Sequence, residues 1–338
     1  MSSLQNIETR ARTLAMLRTA FGPVITTALD DPEVIEIMLN PDGRLWLDKL
    51  SHGRIDTGEH LSPEEGERVI RLVASHLGQD VTAEMPIISA ELPGNNERFE
   101  GVMPPVVTAP CFSIRKGAVA IFTLADYVKA STMTQQQADA LRYAVSARLS
   151  VLIVGGTSSG KTTLANALLA QMSGTGDRIL ILEDTRELQC AADDSVALRT
   201  QGKNVTLADL VRSTLRLRPD RIIVGEVRGP EALDMLKAWN TGHPGGIATV
   251  HANSAKAGLS RIEQLILEGT AVVPRALIAE AIDVIVFISG RGSKRRVDTI
   301  MRLMGVDGES YRLEPLTARP PFPNLTLKEN YHARTTNH

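Results

Sequence analysis

The rhythm of hydrophobic and polar positions changes about a third of the way along the chain. Near the N-terminus Leu14, Leu17 and Phe21 recur at helical spacing and give a helix one apolar face. The runs VIEIMLN and RLWLDKL then flank Pro41, Asp42 and Gly43, a short polar turn that predicts a β-hairpin. Ser62 and Glu65 make a capping-box pattern with Pro63 at the first helical position, so a helix is expected from there to about Leu77. From Glu91 to Arg115 prolines and glycines separate two apolar segments, ELPGNNERFEGVMPPV and CFSIRK, which predicts irregular strands and loops.

From Thr134 onward short apolar strands alternate with helices. TQQQADALRYAVSARL reads as a helix, VLIVGG as a strand, and a second helix follows Lys161. RILILED, RIIVGEV, GIATVH and VIVFIS continue the series, with helices over 206–217 and 230–240 and further ones before the last strand. Apolar strands buried on both sides and interleaved with helices indicate an α/β domain with a mainly parallel sheet covered on both faces. Two more strands are expected over 295–314, around Val306, Asp307 and Gly308, and the polar, proline-rich end after Thr317 reads as a flexible tail. The expected organisation is therefore a smaller α+β domain over 1–116, a linker over 117–133, an α/β domain over 134–317 and a tail over 318–338.

Bulk composition adds bounds. A length of 338 residues is more than twice the roughly 150 of a typical domain, which agrees with two domains. With 43% hydrophobic and 22% charged residues the chain is of ordinary globular type. A net charge of −2 provides no overall attraction to nucleic acid, so sequence-specific nucleic-acid binding is not expected, although the local basic stretch from Arg291 to Arg296 can touch phosphate. Cys111 and Cys190 lie far apart without metal-ligand spacing, as in a reducing compartment. No run approaches the roughly 20 apolar residues of a membrane helix, and the charged N-terminus lacks a signal-peptide core, so a cytoplasmic protein is expected.

The chemistry is concentrated in GGTSSGKT, between the strand VLIV and the helix TTLANALLAQM. Gly155, Gly160, Lys161 and Thr162 satisfy the G-x-x-x-x-G-K-[ST] phosphate-loop pattern. Close approach of several backbone N–H groups to an anion excludes a Cβ at the glycines, and the helix start adds its positive end. The nucleotide-binding set is thus Gly155, Gly156, Thr157, Ser158, Ser159, Gly160, Lys161, Thr162 and Thr163. Lys161 is placed to reach the β- and γ-phosphates and the Thr162 hydroxyl to ligate Mg²⁺. A chance glycine turn is excluded by the flanking strand and helix. A GTP-binding protein or a small kinase is the competing nucleotide reading, but no N-K-x-D element is present, so ATP is the expected nucleotide.

Downstream, Glu226 ends the strand RIIVGE and belongs at the carboxyl edge of the sheet, where it can hold the Mg²⁺ shell. Glu183, Asp184 and Glu187 in LEDTRE stand beside the same edge. One of them is placed to orient the attacking water; equally, Asp184 is a helix N-cap with ordinary first-turn acids behind it, and composition alone leaves both readings open. His251 ends the strand GIATVH, and His243 lies in a glycine-rich turn; structural hydrogen bonding is the commoner role for such residues. In STLRLRPDR and the residue before it, two or three of Arg212, Arg216, Arg218 and Arg221 are surface or helix-end cations, with one available as an arginine finger across a subunit boundary.

In order and spacing, GGTSSGKT, LEDTREL, LRPDRIIVGEVRGPEA and TGHPGGIATVHANS resemble the Walker A, Asp box, Walker B and His box of the secretion-superfamily ATPases. SIRK, EDTREL and RPDRIIVGEVRG look most like the conjugative-transfer, TrbB-type branch of type IV secretion, with strong resemblance over about 90–290. That likeness implies a RecA-like C-terminal domain, an N-terminal domain closing on the nucleotide, a homohexameric ring and docking to membrane-embedded secretion components at the inner membrane. It assigns Glu187 as catalytic base, Glu226 as the Mg²⁺-supporting acid and His251 as the His-box residue. Arg98 and Arg115 match arginines that contact phosphates from the N-terminal domain, and Arg216 is a further carry-over. The four-cysteine element of type II secretion ATPases is missing, which favours conjugation. A pilus-retraction motor is the alternative, although Thr185 stands where its Asp box usually carries proline. A nucleotide-dependent assembly switch and a RecA-like DNA translocase also share the core.

Overall fold

The computed structural model describes residues 2–50, 52–93, 97–117, 121–202 and 204–317, with side chains from residue 14 onward except at 293. The chain divides into two units, 1–119 and 120–338. The expected tail over 318–338 and positions 118–120 of the expected linker lie outside the described residues.

In the first unit helix α1 (Ser2–Asp30) breaks at Gly22, whose φ of 71° leaves the helical region just before Pro23. Leu17 and Phe21 are buried on the predicted face, and Leu14 is half-buried. Strands β1 (Val34–Leu39) and β2 (Arg44–Lys49) form the predicted hairpin, with Gly43 at φ 81° in its turn. β3 (Gly53–His60) then pairs with β2; it alternates half-buried and exposed positions and lacks an apolar run. Helix α2 (Pro63–His76) begins at the predicted box, with the Ser62 hydroxyl accepting from Glu65 N–H and the Glu65 carboxylate accepting from Ser62 N–H.

The segment from Glu91 to Arg115 departs from the expected irregular strands. β4 (Ile87–Glu91), β5 (Arg98–Val102) and β6 (Cys111–Arg115) are regular antiparallel strands, completing a six-stranded sheet in the order β3-β2-β1-β6-β5-β4. The prolines that suggested irregularity sit in the connections, Pro93 between β4 and β5 and Pro104, Pro105 and Pro110 between β5 and β6, while Ile88, Phe99, Phe112 and Ile114 face the core of α1 and α2. Stacking of Phe99 on Phe112, with centroids 5.5 Å apart, rewards this pairing.

The second unit opens with helix α3 (Leu124–Lys129) inside the region expected as a linker. Thr123 and Asp126 cap it, and Leu124, Tyr127 and Met133 are buried in this unit's core, so apolar burial makes the segment part of the fold. Then come α4 (Gln135–Ser146), β7 (Val151–Gly155), α5 (Lys161–Ala170), β8 (Ile179–Glu183), β9 (Ser195–Arg199), α6 (Leu207–Thr214), β10 (Arg221–Val224), α7 (Glu231–Asn240) and β11 (Ile247–His251). The unit closes with α8 (Ala255–Leu267), α9 (Arg275–Ala281), β12 (Val284–Ser289), a 3₁₀ turn (Gly292–Lys294), β13 (Arg296–Asp307) and β14 (Ser310–Pro315).

Its eight strands run in the order β14-β13-β12-β7-β11-β10-β8-β9. The strands from β12 to β9 are parallel to one another, and β13 and β14 add an antiparallel edge. Alternate residues of the central strands enter opposite cores: Leu152, Val154, Ile222 and Val224 on one face, Val151, Ile153 and Ile223 on the other. β9, not anticipated from the sequence, is an edge strand of alternating exposure. Among the described residues no helix is long and apolar enough to cross a membrane.

Candidate nucleotide site

Because β7, β8, β10 and β11 are parallel, their carboxyl ends share one edge of the sheet. Gly155 closes β7, Glu183 closes β8, Glu226 follows β10 and His251 closes β11, directly opposite Gly155 in register. A glycine is needed at 155, where a Cβ would come within 2.5 Å of both the Ile288 carbonyl oxygen and Ser159 Oγ. Gly160 caps α5 in the left-handed region at φ 95°. The first-turn N–H groups of α5, from Lys161, Thr162 and Thr163, have no acceptor within the helix, which makes this end a receptor for an anion. Thr162 and Thr163 are half-buried. Ser159 is 3% exposed, and its Oγ has no hydrogen-bond partner among the described residues.

Lys161 is buried and its Nζ donates to the Gly156 carbonyl at 3.1 Å. The same ammonium stands 3.2 and 3.3 Å from the two ring nitrogens of His251. Beyond the imidazole, Nε2 touches Glu226 Oε1 at 2.6 Å, but the approach is off the hydrogen-bond direction, and Oε1 keeps no hydrogen-bond partner among the described residues. Arg228 donates to the other Glu226 oxygen and lies 3.6 Å from the Asp184 carboxylate. Burial pulls the Arg228 pKa down, but its bond to Glu226 and the charges of Glu226, Asp184 and Glu187 outweigh that and leave it raised. Thr249 Oγ1 donates to the Gly225 carbonyl at 2.7 Å and so secures the strand end that presents Glu226.

The acids of the 183–187 segment separate by environment. Glu183, 5% exposed, accepts from the backbone N–H groups of Glu187 and Leu188 at 3.0 and 2.8 Å, so it braces the turn. No helix follows Asp184, which corrects the N-cap reading; its carboxylate accepts instead from Thr200 Oγ1 at 3.1 Å. Glu187 is half-buried, with its backbone fixed by Asn166 of α5: Asn166 Nδ2 donates to the Glu187 carbonyl and Asn166 Oδ1 accepts from Gln189 N–H.

Other expected residues lie elsewhere. Arg216 is exposed just after α6, on the amino-terminal side of β10, whereas the glycine turn is at the carboxyl edge. Arg212 pairs with Asp234 at 2.9 Å, and the buried Arg221 pairs with Asp177 at 2.6 Å. The His243 ring donates from Nδ1 to the Pro219 carbonyl, a structural bond. In the first unit Arg98 and Arg115 face each other in register on β5 and β6, with Glu91 opposite Arg98 and Glu36 opposite Arg115. Among the described residues no cluster of three or more His, Cys, Asp or Glu side chains could hold a metal by itself.

Sequence reasoning passed over Arg228 and Asn166. The first had a legible signal: two residues beyond Glu226 in an extended segment, it projects to the same side. The second sits inside a helix with no motif to mark it, and only the packing of α5 against the 187–189 backbone reveals it.

The sequence pattern of the family described as Type II/IV secretion system protein matches residues 63–291. The chain is 46% identical over 313 residues to the conjugal transfer protein TrbB of Rhizobium radiobacter, covering 92% of this chain and 96% of that one. It is 33% identical to the type IV secretion system protein PtlH of Bordetella pertussis, over 80% of this chain and 90% of that protein. The Legionella pneumophila ATPase DotB shares the fold, with a TM-score of 0.57 at 19% identity over 83% of this chain and 79% of that one. The chain therefore belongs to the type II/IV secretion system protein family, and its full-length likeness to TrbB places it on the conjugal-transfer, type IV side of that family.

Proposed function

We propose that the chain binds MgATP at the glycine turn of β7 and hydrolyses it, as one subunit of a homohexameric RecA-like ring that powers conjugative DNA transfer through a type IV secretion apparatus. The chain is an ATPase. The observation that carries this reading is the convergence of Lys161, His251, Glu226 and Arg228 around the start of α5, beside Glu187. The residues suit a nucleotide: a left-handed glycine cap, a buried Ser159 hydroxyl without a hydrogen-bond partner among the described residues and a Glu226 oxygen that touches His251 all lie at this edge. They also suit Mg²⁺ held mainly by phosphate, since this ion usually takes only one or two protein ligands.

Thr162 and Glu226 would hold the Mg²⁺, which supplies charge neutralisation at the transferring phosphoryl group. Backbone N–H groups of residues 156–163 and the Lys161 ammonium bind the phosphates. Glu187, on a backbone held by Glu183 and Asn166, orients water and takes its proton. His251 lies between Lys161 and Glu226, and Arg228 orients Glu226. In the first unit Arg98 and Arg115 lie opposite each other in register, which puts two cations at one place on the sheet and fits a phosphate contact alongside the flanking Glu91 and Glu36. Relatives named for conjugal transfer and type IV secretion support a motor that docks on membrane-embedded transfer components from the cytoplasmic face of the inner membrane.

Purified protein should hydrolyse ATP only with Mg²⁺, and Lys161→Ala should abolish turnover without changing the melting temperature. Normal turnover by that variant removes the proposed site. Native mass measurement with and without nucleotide tests the ring, and a monomer under both conditions excludes it.

A further inference from the structure

The basic stretch after β12 has a definite place in the fold. Ile288 of β12 stands opposite Gly155 in register, so the chain leaving β12 runs alongside the glycine turn. Gly290 makes this reversal tight: its φ is 76°, and a Cβ there would lie 2.1 Å from the Lys294 carbonyl oxygen. Arg291 Nε donates to the Thr157 carbonyl at 3.2 Å and fastens the reversal to the phosphate loop. Arg295 lies against the helix cap itself, its Nε, Cδ and Cζ within 2.8 to 3.0 Å of where a Cβ on Gly160 would sit.

Two of the second unit's buried polar atoms lack hydrogen-bond partners. Among the described residues neither Arg295 Nε nor the Tyr127 hydroxyl has a hydrogen-bond partner, and Tyr127 is only 5% exposed. Burial raises the Tyr127 pKa, and the positive charge of Arg295 opposes the rise. A guanidinium beside the positive end of α5, with Lys161 at its first position, is electrostatically unfavourable until an anion joins them. A buried guanidinium nitrogen left unpaired is free to donate to an incoming anion.

We infer that Arg295, carried to the cap of α5 by the β12–β13 reversal and held by the Arg291 to Thr157 contact, is a nucleotide-binding residue that grips the diphosphate portion common to ATP and ADP. The inference rests on the nucleotide reading above. Arg295 therefore acts in ground state and transition state alike, so its loss raises KM and weakens ADP with little effect on kcat. A merely structural Arg295 lowers thermal stability and leaves ADP affinity alone.

Calorimetric titration of the full chain with ADP and with ATP is to be compared for wild type and Arg295→Gln, with kcat and KM measured in parallel. About tenfold or greater weakening of both nucleotides, with kcat within about twofold, is expected from loss of one charge-assisted contact. Equal affinity in a folded Arg295→Gln overturns the assignment. A second measurement on the wild type is independent of variant folding: phenylglyoxal modification followed by peptide mass. ADP should slow modification of Arg295 and spare Arg296, whose side chain is 70% exposed. Equal rates with and without ADP, in protein that binds ADP, refute the inference. Wild type that takes up neither nucleotide overturns the underlying site as well, so the two failures are distinct.

Discussion

Asp177→Ala separates framework arginines from working ones. Asp177 accepts from Arg221 Nε at 2.6 Å and from Arg148 at 3.1 Å, and the Arg221 side chain is 2% exposed. Burial pulls the Arg221 pKa down, and the bond to Asp177 with its charge only partly restores it, so the cation depends on this partner. Removing one member of a buried pair costs about 3–5 kcal/mol, because the remaining charge is left desolvated. Asp177 is 12% exposed, so solvent screening relieves little of this. For a unit of this size about 2–4 °C of melting temperature accompany each kcal/mol, which gives a fall of roughly 6–20 °C. Urea and thermal unfolding of wild type, Asp177→Ala, Arg221→Met and the double variant form the cycle. The double variant should recover at least about 1 kcal/mol over Asp177→Ala, since no unpaired Arg221 charge remains. A loss under about 1 kcal/mol for Asp177→Ala, or strictly additive losses in the double variant, refutes the reasoning. Turnover per folded chain should stay near wild type, because Arg221 begins β10 and Glu226 lies beyond its other end, roughly 16 Å away along an extended chain.

Glu226→Gln keeps the shape but removes the charge facing Arg228; ATP hydrolysis should fall about 10²–10³-fold while nucleotide binding persists, and unaltered turnover in a steady-state assay excludes the acid from the mechanism. Arg228→Ala frees Glu226 and Asp184 and should lower kcat at least about tenfold, whereas urea unfolding should shift by less than about 1 kcal/mol because the side chain is 52% exposed. Ser62→Ala removes the cap of α2 and should destabilise the first unit by about 1 kcal/mol in denaturant titration; no shift would show that the capping box contributes nothing.

Elements built from contiguous residues were legible. The Ser62 capping box, the hairpin around Gly43 and the strands VLIV and RIIV depend on local hydrogen bonds and on the periodicity of apolar burial. β3 and β9 escaped because an edge or half-exposed strand needs no apolar run, and its pairing partner supplies its reason to exist. α3 looked like a linker because its few apolar residues have no periodic neighbours, and their burial comes from packing with other elements of its unit. At the site, the motif alone located the glycine turn and Lys161, whereas the different surroundings of Glu183, Asp184 and Glu187 are visible only in the fold.

What the sequence determined by itself was the glycine turn proposed to bind phosphate, because that pattern is written in consecutive residues whose backbone geometry suits an anion. Which distant side chains surround it was decided by tertiary structure. The order β12-β7-β11-β10-β8 brings His251 opposite Gly155, sets Glu226 beside His251 and lays the Arg291 and Arg295 reversal along the same turn. No local pattern encodes that order, since it follows from which apolar strand faces can be buried together between two layers of helices.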